Sequence, residues 1–452
     1  MGGVAVVRRS YVNPEEPQRS AVPKIAVPKN AAPENTGPEN AVPPDAAAHD
    51  VAATEPTRFP WWGLIVLASA TFLTVTGETL PTGLLPDISS SLGVGEPAVG
   101  LLVTVFAFTV VVSSPPLAAL TRRIPRHRVV IGVLVVLGLS TMLTSISPNY
   151  AFMVGTRVIG GVAHGLFWSV VGAYAGHLVP KHLIGRAVSI TLGGGTLAFV
   201  FGVPLGTAMG HALGWRVAFG GLGVLMLAGA LLLWFFLPRV EREVHPPRET
   251  DRAASWRGRL DPSLPRVLVI CVIAAVTMIG HYTFYTYIAP FLIGPVGAAP
   301  ASVGPLLFGY GLAGAVGLAL AGSVLARRPR WGIVVGLIGV GVAVTVLALF
   351  AGQPVIALIA FFAWGVAFGV LPPLLQTDLL HTASARFRDT ASAIYSSSFN
   401  VGIGGGALVG AVVFGAIGVR NLPWIYVGIL VAVLIGLGIN RMVERRAEPT
   451  AR

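Results

Sequence analysis

The sequence predicts an all-α membrane protein, with twelve transmembrane helices arranged as two six-helix bundles. Three observations predict it. Only 11% of the 452 residues are charged and mean hydropathy is +0.76, a balance that cannot cover the surface of a soluble domain this large. Apolar runs of spanning length, roughly 20 residues each, recur twelve times along the chain. A polar stretch, RVEREVHPPRETDRAASWRGRLDPSLP, falls between the sixth and seventh runs and divides them evenly.

The runs lie near 61–85, 98–119, 128–147, 151–173, 187–209, 216–237, 266–291, 303–325, 332–351, 354–376, 390–413 and 423–441. Each is expected to be helical, because a chain in lipid must satisfy its own backbone hydrogen bonds. The first begins only after about 60 polar residues and is itself long enough to span, so it reads as an attached span and not as a cleaved signal peptide. Before it, the pentads AVPKI AVPKN AAPEN TGPEN AVPPD place proline at 23, 28, 33, 38 and 43, which removes amide donors and blocks helix. The expected organisation is a Pro-rich disordered tail over 1–58, a first bundle over 59–238, a linker over 239–264, a second bundle over 265–442 and a short tail over 443–452. The halves echo one another: ALTRRIPRHR follows the second run, and VLARRPR follows the eighth. A parallel repeat of six-helix bundles is a transporter architecture, with its substrate site near the midplane between them.

A formal charge of +12 and a pI near 10.5 raise the question of nucleic acid, and the positions of the basic residues answer it. All but three of the 31 Lys and Arg lie in the two tails or in alternate connections. Arg216 and Arg420 fall on the other side, and Arg157 falls inside a span. That asymmetry predicts cytoplasmic termini at a cell membrane and, beyond topology, contact with anionic lipid, not nucleic acid. Cys271 is the single cysteine, which excludes a disulfide within the chain and a cysteine metal site.

Glu78 is the only acid well inside a run, in TVTGETLPTGLLPD, where a carboxylate costs on the order of 2.5 kcal/mol or more. It is about 12 Å from the nearer end of its span, and Arg157 on the fourth span is about 10 Å from the same side, at 1.5 Å per residue. Desolvation would drive such a carboxyl neutral and an adjacent arginine would draw it back to the charged form, making its proton exchangeable. A fixed ion pair that never titrates is the competing reading. His164 and His281 are further relay or substrate candidates, against the plain alternative of neutral histidines satisfied by a neighbouring helix. Trp168 and Tyr285 can stack on a ring or simply pack. Gln376 and Asn400 can read hydroxyls or bond between helices. GVPLG, with Gly202, Pro204 and Gly206, removes bulk from the fifth run and allows close approach or bending, as does GIGGGALVG in the eleventh. No phosphate-binding loop, zinc spacing or dinucleotide fingerprint is present, so neither enzymatic activity, a cofactor nor ATP coupling is expected, and energy must come from an ion gradient.

Together these residues resemble the major facilitator superfamily over roughly residues 60–442, and within it the twelve-span drug:proton antiporter branch of sugar-efflux, arabinose-export-like and chloramphenicol-resistance transporters. GETLPTGLLPDISSSLGV is similar to that branch's first span. RVIGGVAHG is similar to the motif carrying its buried arginine, here Arg157. HYTFYTYIAPFL, LPPLLQ and SFNVGIGGGALVG are the branch-specific matches. The resemblance implies export of a small organic compound against protons; with the reading of the residues above, Glu78 and Arg157 are the expected proton site, and a monomer is expected. The alternatives are an importer on the same fold or a non-transporting membrane sensor. Two departures stand out. ALTRRIPRHR puts Ala118, Arg122 and Pro125 where the family has glycine, aspartate and glycine, leaving Arg123 and Arg126 as its basic positions, and GVPLGT loosens the antiporter motif.

Overall fold

The structure, a computed structural model, describes residues 59–239 and 261–447. The expected tail over 1–58, most of the linker and residues 448–452 lie outside the described residues. Twelve helices are long and apolar enough to cross a membrane: α1 (Trp61–Gly83), α2 (Glu96–Arg123), α3 (Arg126–Ser145), α4 (Tyr150–His177), α5 (Ile184–Leu213), α6 (Trp215–Phe236), α7 (Leu264–Tyr285), α8 (Pro300–Ser323), α9 (Pro329–Leu349), α10 (Pro354–Thr382), α11 (Thr390–Ile417) and α12 (Val419–Ile439). α4, α10 and α11 run past the expected ends at 173, 376 and 413. Hydropathy marks the apolar part of a helix, whereas its hydrogen-bond ladder continues into polar surroundings.

The two halves repeat the same packing, shifted by six helices. In the first, α1 packs on α5 and α6, α2 on α4, and α3 on α4 and α6; in the second, α7 packs on α11 and α12, α8 on α10, and α9 on α10 and α12. The first helix of each half also breaks at the same place. α1 ends at Gly83 and is followed by a short helix, Leu85–Leu92; α7 ends at Tyr285 and is followed by Ile288–Ile293. Pro86 and Pro290 cause the breaks, because neither has an N–H to offer the carbonyl four residues back, that of Thr82 or Thr286.

The halves meet along α2–α11 and α5–α8. Thr104 of α2 donates its hydroxyl to the Gly404 carbonyl of α11 at 3.0 Å. On α8, a Cβ at Gly304 would come within 2.9 Å of the Pro204 carbonyl of α5. The opposite face of α5 is also stripped of side chains. Added to Gly202, Gly206 or Gly210, a Cβ would run into Thr76, Leu80 or Leu84 of the first half's leading segment. These glycines recur every four residues and so line one face of α5. A π turn over Ala198–Gly202 precedes Pro204, the residue that cannot join the regular ladder. α1 is thereby drawn deep into the protein. Its apolar core is 78% buried, the highest share of the twelve, and that of α7 is next at 61%.

At the start of α7, Asp261 forms a joint with the α10–α11 connection. Its carboxylate accepts from the Ser263 hydroxyl at 2.6 Å, the Ser263 amide at 2.9 Å, the Ser384 hydroxyl at 2.7 Å and Arg386 Nε at 3.0 Å. These donors, the Ser263 hydroxyl foremost, hold the carboxyl well below the usual carboxylate range.

Candidate functional site

Five threonines make α1 an unusual apolar helix. Thr71, Thr74, Thr76, Thr79 and Thr82 each turn the hydroxyl back onto a carbonyl three or four residues earlier, which satisfies it without a partner helix. Pro81 has the opposite effect. Lacking an N–H, it leaves the Gly77 carbonyl without its helical donor in a buried environment, where an unmet carbonyl costs about 1–3 kcal/mol.

Arg157 of α4 supplies that donor. Its Nη1 reaches the Gly77 carbonyl at 2.9 Å and its Nη2 the Glu78 carbonyl at 2.8 Å. The guanidinium lies over the Phe106 ring of α2, 4.3 Å from the centroid. Two hydrogen bonds and a ring face thus compensate a charge that is only 5% exposed. The guanidinium's hydrogen bonds thus go to the α1 backbone, where Pro81 has opened an acceptor, and not to the Glu78 carboxyl.

The Glu78 carboxyl turns to His164 instead. Oε2 lies 3.3 Å from Nε2 of the imidazole, with the glutamate 8% and the histidine 1% exposed. The same Nε2 also receives the indole N–H of Trp168 at 2.6 Å. Arg157, His164 and Trp168 are spaced seven and four residues apart, so one face of α4 carries all three. Phe106 packs edge-on against the imidazole at 5.2 Å and so touches both α4 groups. Beside the cluster is a polar cavity of about 10 Å³, at the lower limit for one water molecule, lined by Thr74, Ser140, Thr141, Thr144 and Thr156.

A ring nitrogen has one in-plane position, filled by either a hydrogen or a lone pair. While Nε2 accepts from Trp168 it has no proton to give, and Glu78 can satisfy it only as a protonated acid competing with the indole. Once Nε2 is protonated it can donate to a Glu78 carboxylate, and Trp168 must release it. Trp168 is 38% exposed, so the ring is not enclosed on every side.

The other sequence candidates do not join this cluster. His281 and Tyr285 are buried in the second half among aromatic rings, with His281 stacked on Phe368 at 3.4 Å and on Tyr285 at 5.0 Å. Asn400 donates its amide to Ser396 of its own helix at 3.0 Å, and Gln376 is exposed on α10. Arg123 and Arg126 are exposed in the connection after α2, while Gly202, Pro204 and Gly206 form the α5 surfaces described above. Phe106 and Pro81 were not anticipated. Nothing distinguishes Phe106 from other apolar residues in sequence, but Pro81, four places after Gly77, was a readable signal for an unmet carbonyl.

Comparison with known proteins places this geometry in context. The profile of the Major Facilitator Superfamily matches residues 67–294 and 270–452. A probable sugar efflux transporter of Helicobacter pylori is 32% identical over 362 residues, spanning 80% of this chain and 90% of that one. A chloramphenicol efflux pump of Mycobacterium tuberculosis is 34% identical over 362 residues, spanning 78% and 85%. Among solved structures, a D-xylose–proton symporter superposes with a TM-score of 0.70 at 16% identity, over 84% of this chain and 97% of that one. An inward-facing, occupied bacterial homologue of the human lysosomal transporter Spinster gives 0.68 at 17% identity, over 86% and 97%.

Proposed function

The chain belongs to the major facilitator superfamily, as a multi-pass membrane transporter related to sugar and chloramphenicol efflux pumps, and we propose that it exports a small organic compound in exchange for protons. The observation that carries this reading is the single His164 nitrogen between the Glu78 carboxyl at 3.3 Å and the Trp168 indole at 2.6 Å. A proton arriving at the Glu78–His164 pair displaces the indole, and its departure recaptures the indole. Proton occupancy thereby sets the position of an aromatic ring that borders open space. A solute held against Trp168 and a proton held by the pair then disfavour one another, which is the negative coupling that exchange requires.

Alternating access would proceed by rocking of the two halves, 59–238 and 265–442, joined by the linker over 239–264, with α5 and α11 as the close-packed sliding elements. The arginine asymmetry supports a cell membrane with both termini in the cytoplasm. His281 and Tyr285 we assign to packing of the second half, given their burial among rings. The names of the relatives support a sugar-like or chloramphenicol-like solute, carried by a monomer with no cofactor.

The test is transport by the purified chain in vesicles with an imposed pH gradient. Glu78→Gln fixes a neutral side chain and should abolish uphill efflux while solute exchange at equal pH on both sides persists. Normal uphill efflux by that variant would remove Glu78 from the proton path, and uptake driven inward with protons would make the chain an importer.

A further inference from the structure

We propose that a groove at the arginine-bearing end of the second half is a binding site for the phosphate headgroup of an anionic phospholipid. The groove is separate from the Glu78–His164 cluster and has a volume of about 600 Å³. Three spans build it: Arg266 comes from the start of α7, Arg328, Arg330 and Trp331 from the start of α9, and Asp378 and His381 from the end of α10. Arg330 donates to Asp378 at 3.1 Å, which engages the groove's one acid. Among the described residues, neither Arg266 nor Arg328 has an acidic side chain within 4 Å. Two guanidiniums without an acidic partner among the described residues therefore line the same space. The α9 helix adds the positive end of its dipole, with Arg328 at the cap and Pro329 in the first turn. Basic pockets between transmembrane helices are suited to phosphate headgroups, and a guanidinium can present two donors to two phosphate oxygens.

The apolar surface below the groove favours a lipid over a free anion. Trp331 is exposed at the rim, at the interfacial level where an indole is comfortable. From it, Val335, Ile338 and Val342 continue down α9 as exposed residues at helical spacing, giving acyl chains a continuous track into the hydrocarbon. A headgroup held by Arg266 and Arg328 would link α7 to α9 and lie beside the paired Asp378 of α10.

The experiment is native mass spectrometry of the purified full-length chain titrated with phosphatidylglycerol or phosphatidylcholine. Phosphatidylglycerol should give one tightly retained adduct that phosphatidylcholine does not. The R266Q/R328Q double variant should weaken it about twenty-five-fold, at roughly a factor of five per guanidinium. R122Q/R128Q, with the same loss of charge in the first half, should leave it within about two-fold of the parent. Equal weakening by the two pairs would reduce the effect to overall charge and overturn the site. Equal retention of phosphatidylcholine would overturn it as well. Displacement of the adduct by millimolar inorganic phosphate would assign the groove to a free anion and overturn the lipid.

Discussion

Arg157 hydrogen-bonds the one carbonyl in the middle of α1, that of Gly77, which Pro81 has deprived of its helical donor. The arginine is therefore part of the α1 backbone ladder as much as of any charge network. Its removal would expose a defect that the proline creates.

A rescue follows from that geometry. Arg157→Ala should lower stability by about 1–3 kcal/mol by leaving the Gly77 carbonyl buried and unmet. Pro81→Ala restores a backbone donor to it and should recover at least about 1 kcal/mol of that loss in the double variant. Thermal unfolding in detergent across the four chains measures the coupling. Strictly additive effects would mean that Arg157 does not serve this carbonyl.

Trp168→Phe keeps an aromatic ring and removes the indole N–H. In the parent, the indole bond exists only while His164 Nε2 is unprotonated, so it stabilises the proton-free state. Without it no bond is displaced when Nε2 takes a proton, so uphill efflux under an imposed pH difference should fall by roughly five-fold, for a hydrogen bond worth on the order of 1 kcal/mol, while solute exchange at equal pH persists. The emission of Trp168, taken as parent minus variant, should change when the pH difference is imposed and stay flat in a His164→Ala background. Unchanged uphill efflux would uncouple the indole from the proton.

Glycines within α5 should differ sharply in tolerance. A Cβ at Gly202 collides with the Thr76 side chain, whereas one at Gly193 meets nothing within 4 Å. Gly202→Ala should cost about 1–3 kcal/mol through overpacking, with partial recovery on adding Thr76→Ala. Gly193→Ala should be neutral or slightly stabilising in the same melting experiment.

Acid dependence should report the Asp261 joint. Its folded carboxyl sits below the unfolded value of about 3.9, so its contribution is complete above that value and is lost as pH falls through the folded one. The melting difference between parent and Asp261→Asn should thus be constant from pH 8 to 5 and shrink only below about pH 4. A difference that already changes near pH 6 would assign the effect to a histidine.

Hydropathy was enough to find the twelve spans, because burial of backbone in lipid demands long apolar helices whatever their partners. Depth alone could not say which α4 group the Glu78 carboxyl contacts directly. Residues 157 and 164 lie two turns apart on the same face of α4, and both are within reach of α1. What separates them is that Pro81 frees a carbonyl, which a guanidinium, with its several donors, answers better than an imidazole. The isolation of His281, Asn400 and Gln376 from the cluster was not readable, since it depends on how α7, α10 and α11 are rotated about their axes. The breaks after α1 and α7 were readable from Pro86 and Pro290, but a continuous apolar run conceals them from hydropathy.

Among the described residues, Glu78 is the only acid in the buried interior. In the proposed exchange, a single carboxyl would carry one proton per molecule exported, which would set a ceiling on the gradient the chain could build. With an uncharged solute, each cycle carries one net charge, so voltage and pH difference both drive it. A proton-motive force of 100 mV is worth about 2.3 kcal/mol per charge, enough for an outside-to-inside ratio of about fifty. A second buried acid working in step would square that ratio at the same membrane potential.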